Sequence, residues 1–162
     1  NLNRVILREA DLSGAILTKA NLEGSNLLKT ALNGVNLSGA RLCHALAIEA
    51  DFHPASDYLT NLSQADLSHA NLSYANFRMA LLYQAKLDGA KRCRANLCGG
   101  MGSLAPDLTE ASLQGADLSY ANLSGAILSK ANLRDADLTG TNLDNADLTG
   151  AIMPDGSVYQ LD

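Results

Sequence analysis

The stretch Ala116-Asp-Leu-Ser-Tyr-Ala-Asn-Leu-Ser-Gly-Ala-Ile-Leu-Ser-Lys-Ala-Asn-Leu133 repeats one pattern every five residues. Each pentad has a small residue, then a residue that is often Asn or Asp, then Leu, and then two variable residues. We call the Leu position the centre of the pentad. Self-similarity at a fixed short period is the signature of a repeat architecture, so this period decides the fold before any other feature.

The pentad extends over almost the whole chain. From residue 2 to residue 97, 17 of the 20 centres are Leu or Phe, and from residue 108 to residue 153 all ten are Leu or Met. Two residues before the centre, 22 of 29 positions are Ala. The three centres that break the rule are Ala47, Asp57 and Arg92.

A period of five fits neither a regular helix nor a flat strand. An α-helix turns about 100° per residue, so successive centres would be about 140° apart and would form no stripe. In a strand the Ala and the centre share a face, but the next Ala falls on the opposite face. Both conflicts disappear if the chain turns a corner once per pentad. Four corners then close a square coil of four pentads, and the coils stack at about 4.8 Å.

The corner positions carry suitable residues, because Asn, Asp, Ser and Gly dominate there and favour turns. Gly often stands two residues after the centre, as at Gly14 and Gly125, where it accepts a positive φ without steric cost. The pattern Ala-(Asp/Asn)-Leu-x-x resembles the pentapeptide repeat family. The resemblance implies an all-β fold, a right-handed quadrilateral parallel β-helix of about 7.5 coils. Such a rod is about 36 Å long.

Two segments interrupt the repeat within a single predicted domain, residues 1–162. The first, residues 53–60, would place Asp57 at a centre, and since an unpaired buried carboxylate is costly we expect this pentad to bulge outward. The second, residues 98–107, is rich in Gly and is typical of a loop. The predicted parts are therefore a first run (1–97), a loop (98–107), a second run (108–153) and a C-terminal cap (154–162). Arg92 leaves two alternatives, either an outward side chain or an inward Cys93.

The formal charge of −5 disfavours direct nucleic-acid binding, which usually needs a basic surface. The charge is uneven, with a net +2 over residues 1–106 and −7 over residues 107–162. No apolar run approaches the length of a membrane span, so no membrane partner is expected. The expected location is cytoplasmic, with the thylakoid lumen or periplasm open if a signal segment has been removed.

Nothing in the sequence favours an enzyme, a cofactor or a metal site. No Ser-His-Asp or paired-carboxylate arrangement is present, and the Gly99-Gly100-Met101-Gly102 stretch lacks the Lys-Ser/Thr of a phosphate loop. His44 and His69 are five pentads apart, which in an unbroken helix places them on adjacent faces. The three cysteines are expected to be free thiols.

Apolar residues at outward positions point to a protein partner, because an exposed apolar patch of this kind marks interaction sites. The alternative is that they pack the bulge onto the rod. Leu59 and Met79 are four pentads apart and should stack on one face if the register holds. The predicted partner surface comprises Leu46, Ile48, Tyr58, Leu59, Tyr74, Met79 and Tyr83.

These features predict a non-enzymatic interaction or scaffold protein, for which a regulatory role is one option, acting as a monomer or a weak end-to-end dimer. The family resemblance implies an alternative, since some pentapeptide repeat proteins mimic duplex DNA and bind DNA gyrase. An acidic face could steer a basic partner of that kind. Its candidate residues are Asp107, Glu110, Asp117, Asp135, Asp137, Asp144 and Asp147.

Overall fold

The chain forms a parallel β-helix of four-sided coils. In the computed structural model, residues 1–56, 58–91, 93–99 and 105–160 are described. Within them, 24 single-residue parallel bridges join consecutive coils in four ladders, and no helix is long and apolar enough to cross a membrane. Face 1, face 2, face 3 and face 4 are the sides that carry ladders 1 to 4. Each ladder has seven bridged residues, close to the predicted number of coils.

Each ladder runs through the residues that precede the centres. Ladder 1 passes through Asn21, Arg41, Asp66, Lys86, Ser112, Asn132 and Ile152. Ladder 2 passes through Ile6, Asn26, Leu46, Asn71, Lys91, Asp117 and Asp137. Ladder 3 passes through Asp11, Ala31, Asp51, Asn76, Asn96, Asn122 and Asn142. Ladder 4 passes through Ile16, Asn36, Asn61, Leu81, Asp107, Ile127 and Asp147.

Most corners in the described part of the chain are tight turns made by the pentad itself. The carbonyl of the centre accepts a hydrogen bond from the amide three residues later, as in Ala10 N to Leu7 O at 3.0 Å. At these turns the residue two after the centre has φ between +53° and +70°, which is the second central position of a type II turn. Where Asn or Asp precedes the centre, its side chain commonly caps the turn, as in Glu23 N to Asn21 Oδ1 at 3.0 Å.

The core is a narrow column of Leu and Ala. Almost all centres and the Ala residues two before them are fully buried from Leu22 to Leu133. The two phenylalanines lie in this column one coil apart, with ring centroids 4.5 Å apart and planes 6° apart. A coil side accepts only one large and one small side chain, which explains why the chain has only 4% aromatic residues.

The first interruption is the insertion of a whole pentad. Bridged residues are four pentads apart before it, as in Ala31–Asp51, and five pentads apart across it, as in Asn36–Asn61 and Asp51–Asn76. The described part of the segment lies outside the ladders, so this pentad adds no side to the rod. Asp57 itself lies outside the described residues, as does Arg92. Cys93 is partly exposed and does not replace Arg92 in the core.

The second interruption is shorter than the predicted 98–107 loop. Gly99 N still bonds to Ser124 O, and Asp107 is already bridged to Leu81 and Ile127. Bridged residues here are five pentads and one residue apart, as in Leu81–Asp107, so the interruption inserts one pentad plus one residue. Residues 100–104 lie outside the described part of the chain.

The first insertion overturns one prediction about the histidines. Because residues 53–60 contain an inserted pentad, a separation of five pentads corresponds to one coil rather than to one coil and a side. His44 and His69 therefore lie in the same column, and their rings stack with centroids 5.3 Å apart and planes 13° apart. The expectation of adjacent faces was wrong because it assumed an unbroken register.

At its C-terminal end the chain folds back on the last coil. Gly156 has φ +84° and its amide bonds to Met153 O at 2.9 Å, which closes a turn. Val158 then forms an antiparallel bridge with Ile152, and Tyr159 exchanges backbone bonds with Gly150 and Ala151. This hairpin pairs part of the strand edge that the last coil would otherwise expose.

Candidate interaction surface

The predicted partner residues fall into two groups on different sides of the rod. Leu46, Ile48 and Tyr74 belong to face 2 and its corner with face 3, as the bridges Leu46–Asn71 and Asn26–Leu46 establish. Tyr58 and Leu59 belong to the inserted segment, between face 3 and face 4. Met79 lies beside that segment, and Tyr83 follows the centre of face 4 one coil further on.

The inserted segment is fastened at its neck by a buried hydroxyl. Thr60 is fully buried, and its Oγ1 accepts from Gly34 N at 2.8 Å and donates to His53 O at 3.0 Å. Ala55 and Tyr58 exchange backbone hydrogen bonds across the tip, at 3.0 and 3.4 Å. The segment is thus a closed loop on the rod, with Tyr58 67% and Leu59 39% exposed.

A groove runs along each side of this loop. The first is lined by Asn33, His53, Pro54, Ala55, Ser56, Tyr58, Leu59 and Met79. The second is lined by Gly14, Ile16, Gly34, Asn36, Tyr58, Leu59, Asn61 and Leu81. Leu59 and Met79 line the same groove, but the condition for their predicted stacking, an unbroken register, does not hold, because Leu59 belongs to the inserted pentad.

Two lining residues escaped the sequence analysis. Ile16 is 81% exposed and Leu81 is half-buried, and both occupy ladder 4 positions where Asn or Asp is usual. The available signal was the substitution itself, because an aliphatic residue before the centre gives up the side-chain cap of the turn. Ile6, 77% exposed on face 2, carries the same signal.

The base of the loop holds a carboxylate–imidazole pair. His53 Nδ1 lies 2.8 Å from Asp51 Oδ1 and 2.6 Å from Asn33 Nδ2, and Asn76 Nδ2 donates to Asp51 Oδ1 at 2.9 Å. Burial raises the pKa of Asp51, but hydrogen bonds from His53 and Asn33 outweigh it and hold the pKa below its ordinary value. Asp51 therefore stays ionised at neutral pH and anchors the first groove.

On the corner between face 2 and face 3, an arginine is held between two tyrosines. The guanidinium carbon of Arg94 lies 5.9 Å from the ring centroid of Tyr74 and 5.8 Å from that of Tyr120. Tyr74 is 53% and Tyr120 59% exposed, so the three side chains form a surface column. Cation–π contacts of this length favour a fixed guanidinium.

The seven acidic candidates do not form one face. Asp117 and Asp137 are neighbours in ladder 2, whereas Asp107 and Asp147 belong to ladder 4. Glu110, Asp135 and Asp144 follow centres of face 4, face 1 and face 3 respectively. The prediction of a single acidic face is corrected to an acidic end, because residues in successive pentads point to different sides.

The described residues hold no group of three or more His, Cys, Asp or Glu side chains that could bind a metal ion. Cys43, Cys93 and Cys98 are free and partly exposed. Burial, together with the hydrogen bond to Asp66, raises the pKa of the Cys43 thiol, which therefore stays protonated at neutral pH.

Comparison with known proteins identifies the family that has this architecture. The family model for pentapeptide repeats matches residues 1–29, 25–55, 60–97 and 116–153. The chain belongs to the pentapeptide repeat family. The two solved pentapeptide repeat proteins described next are right-handed quadrilateral β-helices, as the sequence resemblance predicted.

One solved pentapeptide repeat protein is similar over nearly the whole chain. It is HetL from the cyanobacterium Nostoc sp. strain PCC 7120, described as involved in the regulation of heterocyst differentiation. The two share 57% identity with a TM-score of 0.96, over 98% of this chain and 68% of HetL.

A second relative shares the fold at lower similarity. QnrB1, a plasmid-mediated fluoroquinolone resistance protein, is 20% identical with a TM-score of 0.50, over 91% of this chain and 71% of its own. At this identity the likeness concerns the pentapeptide repeat fold alone. A search of curated protein sequences gave no match.

Proposed function

We propose that this pentapeptide repeat protein is a non-enzymatic regulatory protein that binds a protein partner at the grooves beside its inserted loop. The loop is the observation that carries the proposal. It is an insertion that the rod does not need, and it holds Tyr58 and Leu59 exposed between two grooves. Exposed apolar residues next to a concave surface are typical of partner sites.

The proposed regulatory role is supported by the similarity to HetL over 98% of the chain. By this analogy the partner acts in the control of cell differentiation, and the rod presents a rigid surface to it. Function does not follow from fold alone, so the loop and its grooves must carry the specificity.

The test is expression of the chain in Nostoc sp. strain PCC 7120, with the frequency and spacing of heterocysts as readout. We expect the wild-type chain to change the pattern and the double variant Tyr58→Ser/Leu59→Ser to lose this effect. Val158→Ser is the control, since Val158 is 54% exposed in the C-terminal hairpin, away from the loop. An equal effect of the loop variant and the wild type would contradict the proposal.

The acidic C-terminal end supports a second candidate, binding to DNA gyrase or another topoisomerase as a DNA mimic. Residues 107–162 carry a net −7, and Asp117 and Asp137 repeat at one-coil spacing. A supercoiling assay tests this candidate with the wild type and with Asp117→Asn/Asp137→Asn. Inhibition or protection by the wild type that the variant lacks supports it, and no effect of the wild type rejects it.

A further inference from the structure

Face 2 carries an apolar patch that its own fold does not require. In the pentad Ala45-Leu-Ala-Ile-Glu49, the smallest of the three middle residues, Ala47, occupies the buried centre. Leu46 and Ile48, which are larger, remain on the outside, Leu46 being 37% exposed. A register that buried either one would remove more apolar surface from water, but the ladder bridges fix the observed register.

The same pentad also loses a hydrogen bond. In the preceding coil of face 2, Asn26 Oδ1 accepts from Leu28 N at 3.1 Å, but Leu46 offers no such acceptor to Ile48 N. Among the described residues, Ile48 N has no partner. Leu28 and Ile48 follow successive centres, so with Leu46 they form one patch across two coils. The residues of this patch therefore have two costs for the fold: they weaken the turn of the pentad 45–49, and they leave apolar surface exposed to water.

A cation lies next to the patch on the same side of the rod. Arg94 follows the patch by two coils, which at the strand spacing is about 10 Å. Within the described part of the chain, no carboxylate lies within 4 Å of the Arg94 or Lys91 side chains. By contrast, Lys29 on the same corner is paired with Glu49 at 3.6 Å. The guanidinium of Arg94 is thus an uncompensated charge.

The two tyrosines prepare Arg94 to bind a planar anion. Their rings hold the guanidinium from both sides, and Tyr74 Oη lies 3.4 Å from Arg94 Nη1. A positioned guanidinium binds a carboxylate through two parallel hydrogen bonds, and it loses less side-chain entropy than a free one. Face 2 therefore combines an aliphatic patch with a fixed carboxylate receptor.

We propose that face 2 binds a protein segment in which an aliphatic side chain contacts Leu28, Leu46 and Ile48 and a carboxylate pairs with Arg94. A distance of about 10 Å corresponds to three residues of a polyproline II segment, in which side chains three positions apart share one face, so the segment has Leu or Ile and Asp or Glu three positions apart. The inner coils have no free strand edge, since their ladder amides and carbonyls bond to neighbouring coils. Recognition is therefore by side chains and not by strand addition. This inference rests on the proposed function in taking a protein as the partner, but it uses a different surface.

The probe is a phage library of random twelve-residue peptides, selected on the full chain and counter-selected on Leu46→Ser/Arg94→Leu. We expect enrichment of sequences with an aliphatic residue and an acidic residue three positions apart. A synthetic peptide of the enriched sequence is then titrated by calorimetry. Absence of enrichment, or enrichment of sequences without an acidic residue, overturns the inference.

Variants of the protein then separate binding from folding. Arg94→Leu should weaken the affinity for the selected peptide at least tenfold, and Arg41→Leu should change this affinity less than twofold. Arg41 is the matched control because it is already paired with Glu23 at 3.0 Å. Arg94→Glu should abolish binding, and a peptide with Lys in place of its acidic residue should restore it. Equal binding by wild type and Arg94→Leu, with both folded by circular dichroism, contradicts the proposal.

Two further controls fix the partner class and the surface. Oligouridylate is titrated in parallel, since Tyr and Arg also stack on bases, and tighter binding of the oligonucleotide than of the peptide would overturn a protein partner. Tyr58→Ser/Leu59→Ser should bind the peptide as the wild type does. With that result, a heterocyst effect that does not depend on the loop contradicts only the proposed function, and a peptide that does not bind contradicts only the face 2 proposal.

Discussion

Gly34 lies directly beneath Ala55 of the inserted loop, so closely that a Cβ on Gly34 would come 2.8 Å from Ala55 Cβ and 3.1 Å from Tyr58 O. Gly34 N also bonds to the hydroxyl of Thr60 at 2.8 Å. The rod therefore supports the loop through a position that has no side chain. The two grooves depend on this close approach, because the loop forms a wall of each.

We predict that Gly34→Ala destabilises the protein more than Gly125→Ala does. Both residues have similar positive φ values, +63° and +66°, but nothing lies within 4 Å of a Cβ on Gly125. The left-handed conformation alone costs an L-residue about 1–2 kcal/mol. Overpacking against the loop backbone adds about 1–3 kcal/mol at Gly34. Urea unfolding of both variants measures the difference. Equal losses of unfolding free energy would mean that the loop moves away from the added Cβ without cost.

The hydroxyl of Thr60 should account for much of the closure of the loop. Thr60→Val keeps the shape of the side chain but removes its bonds to Gly34 N and His53 O. The expected loss is about 1–3 kcal/mol, since buried backbone groups lose a partner. Thr30→Val is the control, because Thr30 is also buried and its hydroxyl donates to a backbone carbonyl, Leu7 O at 2.8 Å. A smaller loss at Thr60 than at Thr30 in chemical denaturation would contradict this role.

A third prediction has the opposite sign. Ser25 is fully buried at a position where Ala is usual, and its Oγ has no hydrogen-bond partner among the described residues. Ser25→Ala should therefore raise the free energy of unfolding by about 1 kcal/mol, because an unsatisfied hydroxyl leaves the core. Thr141→Ala should lower it, since Thr141 Oγ1 donates to Leu118 O at 2.9 Å. Calorimetric melting of the two variants should show shifts in opposite directions.

The period of five was sufficient to predict the square coil, because only a corner in every pentad keeps Leu and Ala together inside. The stacked rings of Phe52 and Phe77, one coil apart inside the rod, lie in the column that this arrangement forms. The relation between His44 and His69 was missed for one reason. A pentad that is present in sequence need not be a side of the rod, and the period alone does not distinguish a side from an insertion.

Turn conformation was only partly predictable. Gly14 and Gly125, each two after a centre, were expected to accept positive φ, and they have it, but residues such as His69, Tyr74 and Arg94 have it as well. Bridges to both neighbouring coils and the turn hydrogen bond fix this conformation whatever the side chain. Arg94 contacts Tyr74 at the regular offset of four pentads, but its contact with Tyr120 depends on the longer bridge offset across the second interruption, which the four-pentad coil did not predict.

The Asp51–His53 pair at the base of the loop gives a pH dependence with a defined sign. Burial raises the pKa of Asp51, but hydrogen bonds from His53 and Asn33 outweigh it, so the pKa is lower in the folded than in the unfolded protein, whose ordinary value is 3.8. The stabilisation is therefore present above pH 3.8 and is lost as the pH falls below it. Its size should be below about 1 kcal/mol, because the pair is partly exposed and screened by solvent.

Asp51→Asn tests this dependence directly. The variant should be less stable than the wild type at pH 6, and the difference should shrink towards pH 3 as the wild-type carboxylate is protonated. His53→Asn removes the main donor to Asp51. The stability difference between this variant and the wild type should also shrink from pH 6 to pH 3. Guanidinium unfolding at pH 6, 5, 4 and 3 measures all three proteins. A difference between wild type and Asp51→Asn that stays constant down to pH 3 would show that the carboxylate charge does not support the loop.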